Sequence, residues 1–326
     1  MPLGPSARNR GLDVSALCLG TDLFGSKRDK ETCFGLLDHF REKGGNFIDT
    51  ANMYCCWLPG FMNGGHSETV IGQWLKERGN RNSIVIESKL AFDFEGCPGG
   101  LSATQIEQQC ESSLRRLQTD RIDIYYSHRD DRDTAQEETM EAFHRLVRAG
   151  KVRALGASNL RSWRIAQANT IARQNQWMAY TVIQQRFTYA RPWPNADFGP
   201  QIFINDDLKD FAQTSGVALM GYSVLLSGAY LKDSKDLPPQ FAGPDADARF
   251  AVLRAVAAEA GATVNQVILA WMRQSTPAIL PIIAGSRTEQ LAENIAALNV
   301  KLSDDQMRRL NTAGDPDVKQ GWLQPT

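Results

Sequence analysis

Three features of this 326-residue chain predict an α/β fold of the parallel (β/α)8, or TIM-barrel, class. Eight short apolar runs recur along it, stretches of helical period separate them, and three of the connections are too long for simple turns. Strands alternating with helices specify a parallel sheet covered by its crossover helices. Eight such units in this length close into a barrel more readily than they form an open sheet. The chain is long for one compact domain unless that domain is a barrel, and no Pro/Gly-rich linker divides it. A single domain over residues 1–326 is therefore expected.

The runs, in order, are VSALCLG (14–20), NFIDTA (46–51), SIVIESK (83–89), IDIYYSH (122–128), VRALGAS (152–158), YTVIQQ (180–185), VALMGYS (217–223) and AILPIIAG (278–285). Between runs three and four, Ile106, Cys110, Leu114 and Leu117 share one helical face of 102–118. Between runs four and five, Met140, Phe143, Leu146 and Val147 do the same in 134–150, and Gly150 closes that helix as a C-cap. The long connections are 55–66, 90–101 and 189–205, after runs two, three and six. Loops of this length are usually functional. In a barrel they all lie on the C-terminal face, where such folds keep their active sites. The tail, 315–326, has no strong period and could fold over the same face.

Lys plus Arg number 36 and Asp plus Glu 37, a formal net charge of −1. Nothing in that balance points to a nucleic acid or a membrane surface as partner. The N-terminus lacks the apolar core of a signal peptide, and no run of eighteen apolar residues occurs, so a cytoplasmic protein is expected. The six cysteines match no zinc spacing, and a chain this long does not need disulfides to fold. Cys55-Cys56 reads as two small loop residues rather than a redox pair.

Chemistry gathers at the strand ends. Run two stops at Asp49 with Tyr54 just beyond, run three ends in Lys89, and run four ends in His128. A parallel barrel brings these ends to one rim. Asp49 would pair with Lys89 and hold it charged. The ammonium beside Tyr54 is expected to favour the phenolate and lower the phenol's pKa, making Tyr54 a general acid tuned toward neutrality. His128 would hydrogen-bond a substrate oxygen or assist its protonation. A metal-dependent barrel hydrolase would instead need His and carboxylate clusters at strand ends. His39 and His144 fall on expected helices and His66 in a loop, so no metal is expected.

Asp49, Tyr54, Lys89 and His128 match, in order and at comparable spacing, the catalytic tetrad of the aldo-keto reductase superfamily, which the chain resembles over most of its length. GLDVSALCLGTDLFG, LRRLQTDRIDIYYSH, LVRAGKVRALGASN and GSRTEQLAENIAAL carry the similarity. It departs at Ser88, where the family usually has Thr before the Lys, and in a longer loop after Tyr54. No G-x-G-x-x-G or G-x-x-x-x-G-K-[ST] sits in the right context, so the nicotinamide cofactor is implied by the resemblance alone.

That resemblance implies contacts to the cofactor from Gly20, Thr21 and Asp49. It assigns the nicotinamide carboxamide to Ser158, Asn159 and Gln184, although Ser158 and Asn159 also suit capping the helix that follows. Tyr222 would stack under the ring, and Ser223, Leu225 and Ser227 would wrap the pyrophosphate. Gly285, Ser286, Arg287, Gln290 and Asn294 would hold the adenosine end, and Arg287 on a 2′-phosphate favours NADPH over NADH. The implied activity is NADPH-dependent reduction of a ketone or aldehyde, possible in both directions. The alternative is a cofactor-holding, redox-sensing subunit with little turnover.

The long loops carry the large apolar residues Trp57, Phe61, Met62, Phe92, Phe94 and Trp193, and the tail carries Trp322; together they suggest a roomy pocket with apolar walls. Trp57, Phe92, Trp193 and Trp322 are the chief candidate substrate contacts, with Asn63, Asp93, Glu95 and Asn195 available to hydroxyls. A bulky oxygenated carbonyl compound, such as a natural-product ketone or keto-sugar, is the expected small-molecule partner.

Overall fold

The computed structural model describes residues 12–232 and 237–315. Eight parallel strands close into a barrel in sequence order. They are β1 (Cys18–Gly20), β2 (Phe47–Asp49), β3 (Val85–Leu90), β4 (Ile122–Ser127), β5 (Val152–Ser158), β6 (Tyr180–Arg186), β7 (Ala218–Tyr222) and β8 (Ile279–Ile283). The helices are α1 (Lys30–Glu42), α2 (His66–Arg78), α3 (Ala103–Leu117), α4 (Gln136–Arg148), α5 (Ser162–Gln174), α6 (Asp206–Ser215), α7 (Pro244–Glu259), α8 (Val264–Gln274), α9 (Thr288–Ala296) and α10 (Asp304–Thr312). The expected fold class is the observed one.

Local chemistry sets the helix ends. Asp29, Ser102 and Asn205 each accept a backbone N–H in the first turn of α1, α3 and α6. Thr263 with Gln266 and Ser303 with Gln306 form reciprocal capping boxes at α8 and α10. Gly150 takes a φ of +75° one residue beyond the cap of α4, which frees the chain to turn into β5. Two expectations shift. His66 opens α2 rather than lying in a loop. Ser158 and Asn159 do not cap α5, whose N-cap position is Arg161, because Asn159's side chain is engaged elsewhere.

Two apolar layers hold the barrel. Strand residues pointing outward pack under the helices, as Ile48, Ile86, Tyr125, Ile183 and Leu219 do. Residues pointing inward fill the lumen: Cys18, Phe47, Val85, Ile124, Tyr126, Ala154, Val182, Met220, Leu280 and Ile282, with Leu12 and Val14 from the segment before β1. The lumen is thus a packed core through its lower part, and polar side chains gather at its C-terminal end. No single helix among the described residues is long and apolar enough to cross a membrane.

Close approaches between elements depend on missing side chains. A Cβ on Gly72 in α2 would stand 2.1 Å from the backbone oxygen of Arg116 in α3. Exposed Gly35 in α1 has nothing within 4 Å. Gly72→Ala is therefore expected to destabilise the fold by about 1–3 kcal/mol through overpacking. Gly35→Ala should stabilise it by about 0.5–1 kcal/mol through helix propensity. Denaturant midpoints of the two variants test the contrast, and equal shifts in one direction would refute it.

Candidate active site

The barrel delivers the four strand-end residues to one place. Asp49 is the last residue of β2, Lys89 the penultimate residue of β3, and His128 follows β4 directly. Register aligns Gly20 with Asp49, Asp49 with Glu87, and Lys89 with Tyr126. Ladder-like bonds continue past the end of β2, with Thr50 N donating to Glu87 O (3.0 Å) and Asn52 N to Lys89 O (3.1 Å). These bonds hold the turn that carries Tyr54 over Lys89. Thr21 Oγ1 donates to Asp49 O at 2.7 Å, tying β1 to the same corner.

Lys89 is fully buried and spends all three ammonium protons there. It pairs with Asp49 Oδ1, donates to Thr50 O at 2.9 Å and to Tyr54 Oη at 2.7 Å. The Tyr54 hydroxyl in turn donates to Asp49 Oδ2 at 2.6 Å. His128 presents its ring edge-on to Tyr54, with centroids 6.1 Å apart, and its Nδ1 has no hydrogen-bond partner among the described residues. Phe92 meets the His128 ring at 4.9 Å and 89°, and Trp57 meets Tyr54 at 6.3 Å.

Electrostatics departs from the expectation at one point. Tyr54 is pushed well above the ordinary phenol value of 10.0, by burial first and then by the charge and hydrogen bond of Asp49. The Lys89 ammonium does not outweigh them, so Tyr54 is a neutral phenol rather than one tuned toward phenolate. Burial also acts against ionised Asp49, but the Lys89 charge and several hydrogen bonds win and hold it below the usual carboxylate range. His128 is driven well below 6.5, by burial first and then by Lys89, and stays a neutral imidazole near neutral pH.

One residue of this site was not singled out from the sequence. Glu87, two positions before Lys89 and on the same face of β3, is fully buried in the lumen. Gln184 Nε2 donates both to Asp49 Oδ1 (2.8 Å) and to Glu87 Oε1 (2.7 Å), and Tyr126 Oη lies 2.7 Å from Glu87 Oε2. The available signal was an acid inside the otherwise apolar run IVIESK.

The residues expected at a cofactor line the same rim, from β5 round to α9. Asn159, at φ +58°, donates to His128 O and to Ser158 Oγ and accepts from Ile202 N and the Tyr222 hydroxyl. Its amide is thus occupied by the protein, whereas Ser158 Oγ keeps its own proton to donate. After β7, Ser223, Leu226 and Ser227 all have positive φ, a strained backbone of the kind that persists at ligand clamps. A Cβ on Gly285 would stand 3.1 Å from Leu291 N, so its lack of a side chain lets the chain pass close over the start of α9. Arg287 is exposed at the N-cap position of α9 and makes no ion pair among the described residues. Ser286 and Gln290 bond to each other, and Asn294 Nδ2 donates to Ala284 O at 3.0 Å. Half-buried Tyr222, the strained loop and a free arginine at a helix start make a set suited to a ring, a pyrophosphate and a further anion.

Of the expected substrate residues, Trp57 and Phe92 flank the tetrad, and Trp57 is 49% exposed. Trp193 instead packs over Gly243, and no hydrogen bond or ring contact joins it to the tetrad among the described residues. Asn63 bonds His66, and Asp93 pairs with Arg129 at 3.3 Å. Trp322 lies outside the described residues.

The Aldo/keto reductase family model matches residues 16–315. The chain is 33% identical to norsolorinic acid reductase stcV of Emericella nidulans, over 94% of this chain and 80% of that protein. It is 31% identical to aryl-alcohol dehydrogenase GME11368 of Pestalotiopsis microspora, covering 97% and 82% respectively. Against the aryl-alcohol dehydrogenase [NADP(+)] of Phanerodontia chrysosporium the identity is 31%, covering 92% and 83%. A match that runs from the first strand of the barrel to its last helix decides the matter: the chain belongs to the aldo/keto reductase family and is an NAD(P)H-dependent oxidoreductase that reduces ketones or aldehydes to alcohols.

Proposed function

We propose that this single-domain barrel uses NADPH to reduce a bulky, oxygenated aromatic or ring ketone, with Tyr54 as the proton donor. The observation that carries the reading is the Tyr54 hydroxyl, held between Lys89 Nζ and Asp49 Oδ2 beside a neutral His128. NADPH, when bound, would supply the hydride that reduces the carbonyl carbon. The Tyr54 O–H bond breaks as the new alcohol O–H bond forms, and the phenolate left behind faces the Lys89 ammonium. Lys89 therefore acts most strongly where charge develops, which is when it lowers the barrier. Asp49 keeps Lys89 charged and placed. A neutral imidazole at His128 suits orienting the carbonyl oxygen by a hydrogen bond and argues against His128 carrying the proton.

Ser158, Gln184 and Tyr222 would hold the nicotinamide, the 223–228 loop the pyrophosphate, and Arg287 the 2′-phosphate. With its own amide engaged, Asn159 would serve by fixing Ser158 and Tyr222. The preference for NADPH rests on Arg287, which has no competing carboxylate among the described residues, and the name of one relative points the same way. The substrate reading rests on Trp57 and Phe92 beside the tetrad, and on relatives named for norsolorinic acid and aryl alcohols. Trp193 is left as a candidate for the far end of a long substrate. The cytoplasmic location rests on the sequence alone.

Steady-state kinetics on ketones and aldehydes graded by size tests the reaction. The specificity constant should rise with the size of the aromatic or ring system, because remote contacts can assist the chemical step. Tyr54→Phe keeps the ring and removes the proton, and should lower reduction by roughly 10²–10⁴-fold across the panel with little change in cofactor affinity. Near-parental turnover in Tyr54→Phe would sink the mechanism, and short aldehydes as the best substrates would sink the substrate class alone.

Arg287→Ala should weaken NADPH binding about tenfold or more, since a charge-assisted hydrogen bond is worth about 1.5–3 kcal/mol. NADH binding should hardly change. Equal losses for both cofactors, by fluorescence titration, would mean that Arg287 does not meet the 2′-phosphate.

A further inference from the structure

Glu87 lies in the lumen directly beneath the tetrad and takes no part in the steps above. Its surroundings can be named strand by strand. Cys18 on β1 approaches Oε1 at 3.9 Å, and Asp49 on β2 shares Gln184's amide with it. Lys89 is two residues along on β3, and β4 brings the Tyr126 hydroxyl to 2.7 Å. From β5 comes Gly156, where a Cβ would stand 2.2 Å from the Tyr126 ring, so the missing side chain is what admits that ring to the lumen. Gln184 comes from β6, and Met220 on β7 places its sulfur 3.5 Å from the Tyr126 oxygen. On β8 the lumen residues are apolar Leu280 and Ile282.

Donors and acceptors decide the state of this carboxyl. The three Lys89 protons go to Asp49, Thr50 O and Tyr54, and no other cation bonds Glu87 among the described residues. Its neighbours are an amide, a phenol, a thiol and a second carboxyl. The Tyr126 hydroxyl donates to Glu87 Oε2 and Gln184 Nε2 to Oε1, and the carboxyls of Glu87 and Asp49 hydrogen-bond each other, which requires a proton on one of them. A second unpaired carboxylate in this volume would carry a large desolvation cost.

We propose that Glu87 is a positioning residue of the tetrad and works as a neutral carboxylic acid, fixing Asp49 through the shared Gln184 amide without adding a second negative charge. Burial, and then the charge of Asp49, push Glu87 well above the usual carboxylate range, in keeping with that state. The pH dependence follows from the sign. Below its raised pKa Glu87 is neutral and the tetrad holds one carboxylate. Above it the new charge acts on Tyr54, raising the phenol's pKa further and opposing proton donation. Reduction should therefore decline on the alkaline side as Glu87 ionises. This consequence rests on Tyr54 being the proton donor; the protonation of Glu87 does not.

Infrared spectroscopy of the full chain, without cofactor or substrate, reads the protonation directly. At neutral pH a protonated-carboxyl stretch is expected that shifts on carbon-13 labelling of glutamate and is lost in Glu87→Gln. Tyr126→Phe should retain the band at a shifted frequency, and that result alone decides the question if Glu87→Gln fails to fold. Kinetics with a nitrobenzaldehyde and NADPH then reads the coupling. Glu87→Gln, which keeps a neutral hydrogen-bonding group, should still reduce the aldehyde and lose the alkaline decline, whereas Glu87→Ala should lose activity at every pH. A folded Glu87→Gln with an unchanged carboxyl spectrum overturns the protonation, and a pH profile identical to the parent overturns the link to the tetrad.

Discussion

The buried ion pair between Lys89 and Asp49 is the constraint on which the site depends. Two charges taken out of water are costly, and their attraction repays the cost only when every remaining donor and acceptor is used. Here they are used. Lys89 places its protons on Asp49, Thr50 O and Tyr54, and Asp49 also receives Tyr54 and Gln184. Loss of either partner would leave an uncompensated charge inside the barrel, so the pair locks the phenol into one geometry. On the proposed mechanism, the pair places a proton rather than adding stability.

Barrel closure makes that arrangement possible. Alternate residues of each strand face the lumen, so the same register that packs Phe47, Val85 and Ile124 low in the barrel puts Asp49, Glu87 and Tyr126 above them. A slip of one residue in β3 would turn Glu87 and Lys89 outward among the helices. Asp123 helps fix that register near the other end of β3 and β4, accepting Ile86 N at 2.9 Å and pairing with Arg81 and Arg153. Behind β3, Glu68 accepts from Ser88 and Arg116 and joins α2 and α3 to the same strand.

Much of this was legible before the fold was known. Asp49, Lys89 and His128 stood out because each is a polar residue closing an apolar run, and such a pattern survives small errors in strand limits. What escaped depends on contacts between distant parts of the chain. The direction of the Tyr54 shift was missed because the sequence displays the nearby lysine but neither the burial nor the hydrogen bond to Asp49. Asn159's occupancy was hidden because its partners His128, Ile202 and Tyr222 lie 31, 43 and 63 residues away. Glu87 was visible as an acid in a strand, but only closure of the barrel brings Gln184, from 97 residues further on, to its oxygen.

The central claim is that burial and Asp49 keep Tyr54 a neutral phenol that gives up its proton only as the alkoxide forms. Carbon-13 NMR of protein labelled at the tyrosine Cζ tests it, with the Tyr54 resonance assigned by its loss in Tyr54→Phe. The account predicts a neutral-phenol shift for Tyr54 throughout a titration up to the ordinary phenol value of 10.0. A Tyr54 resonance that moves to the phenolate position below that value would contradict it.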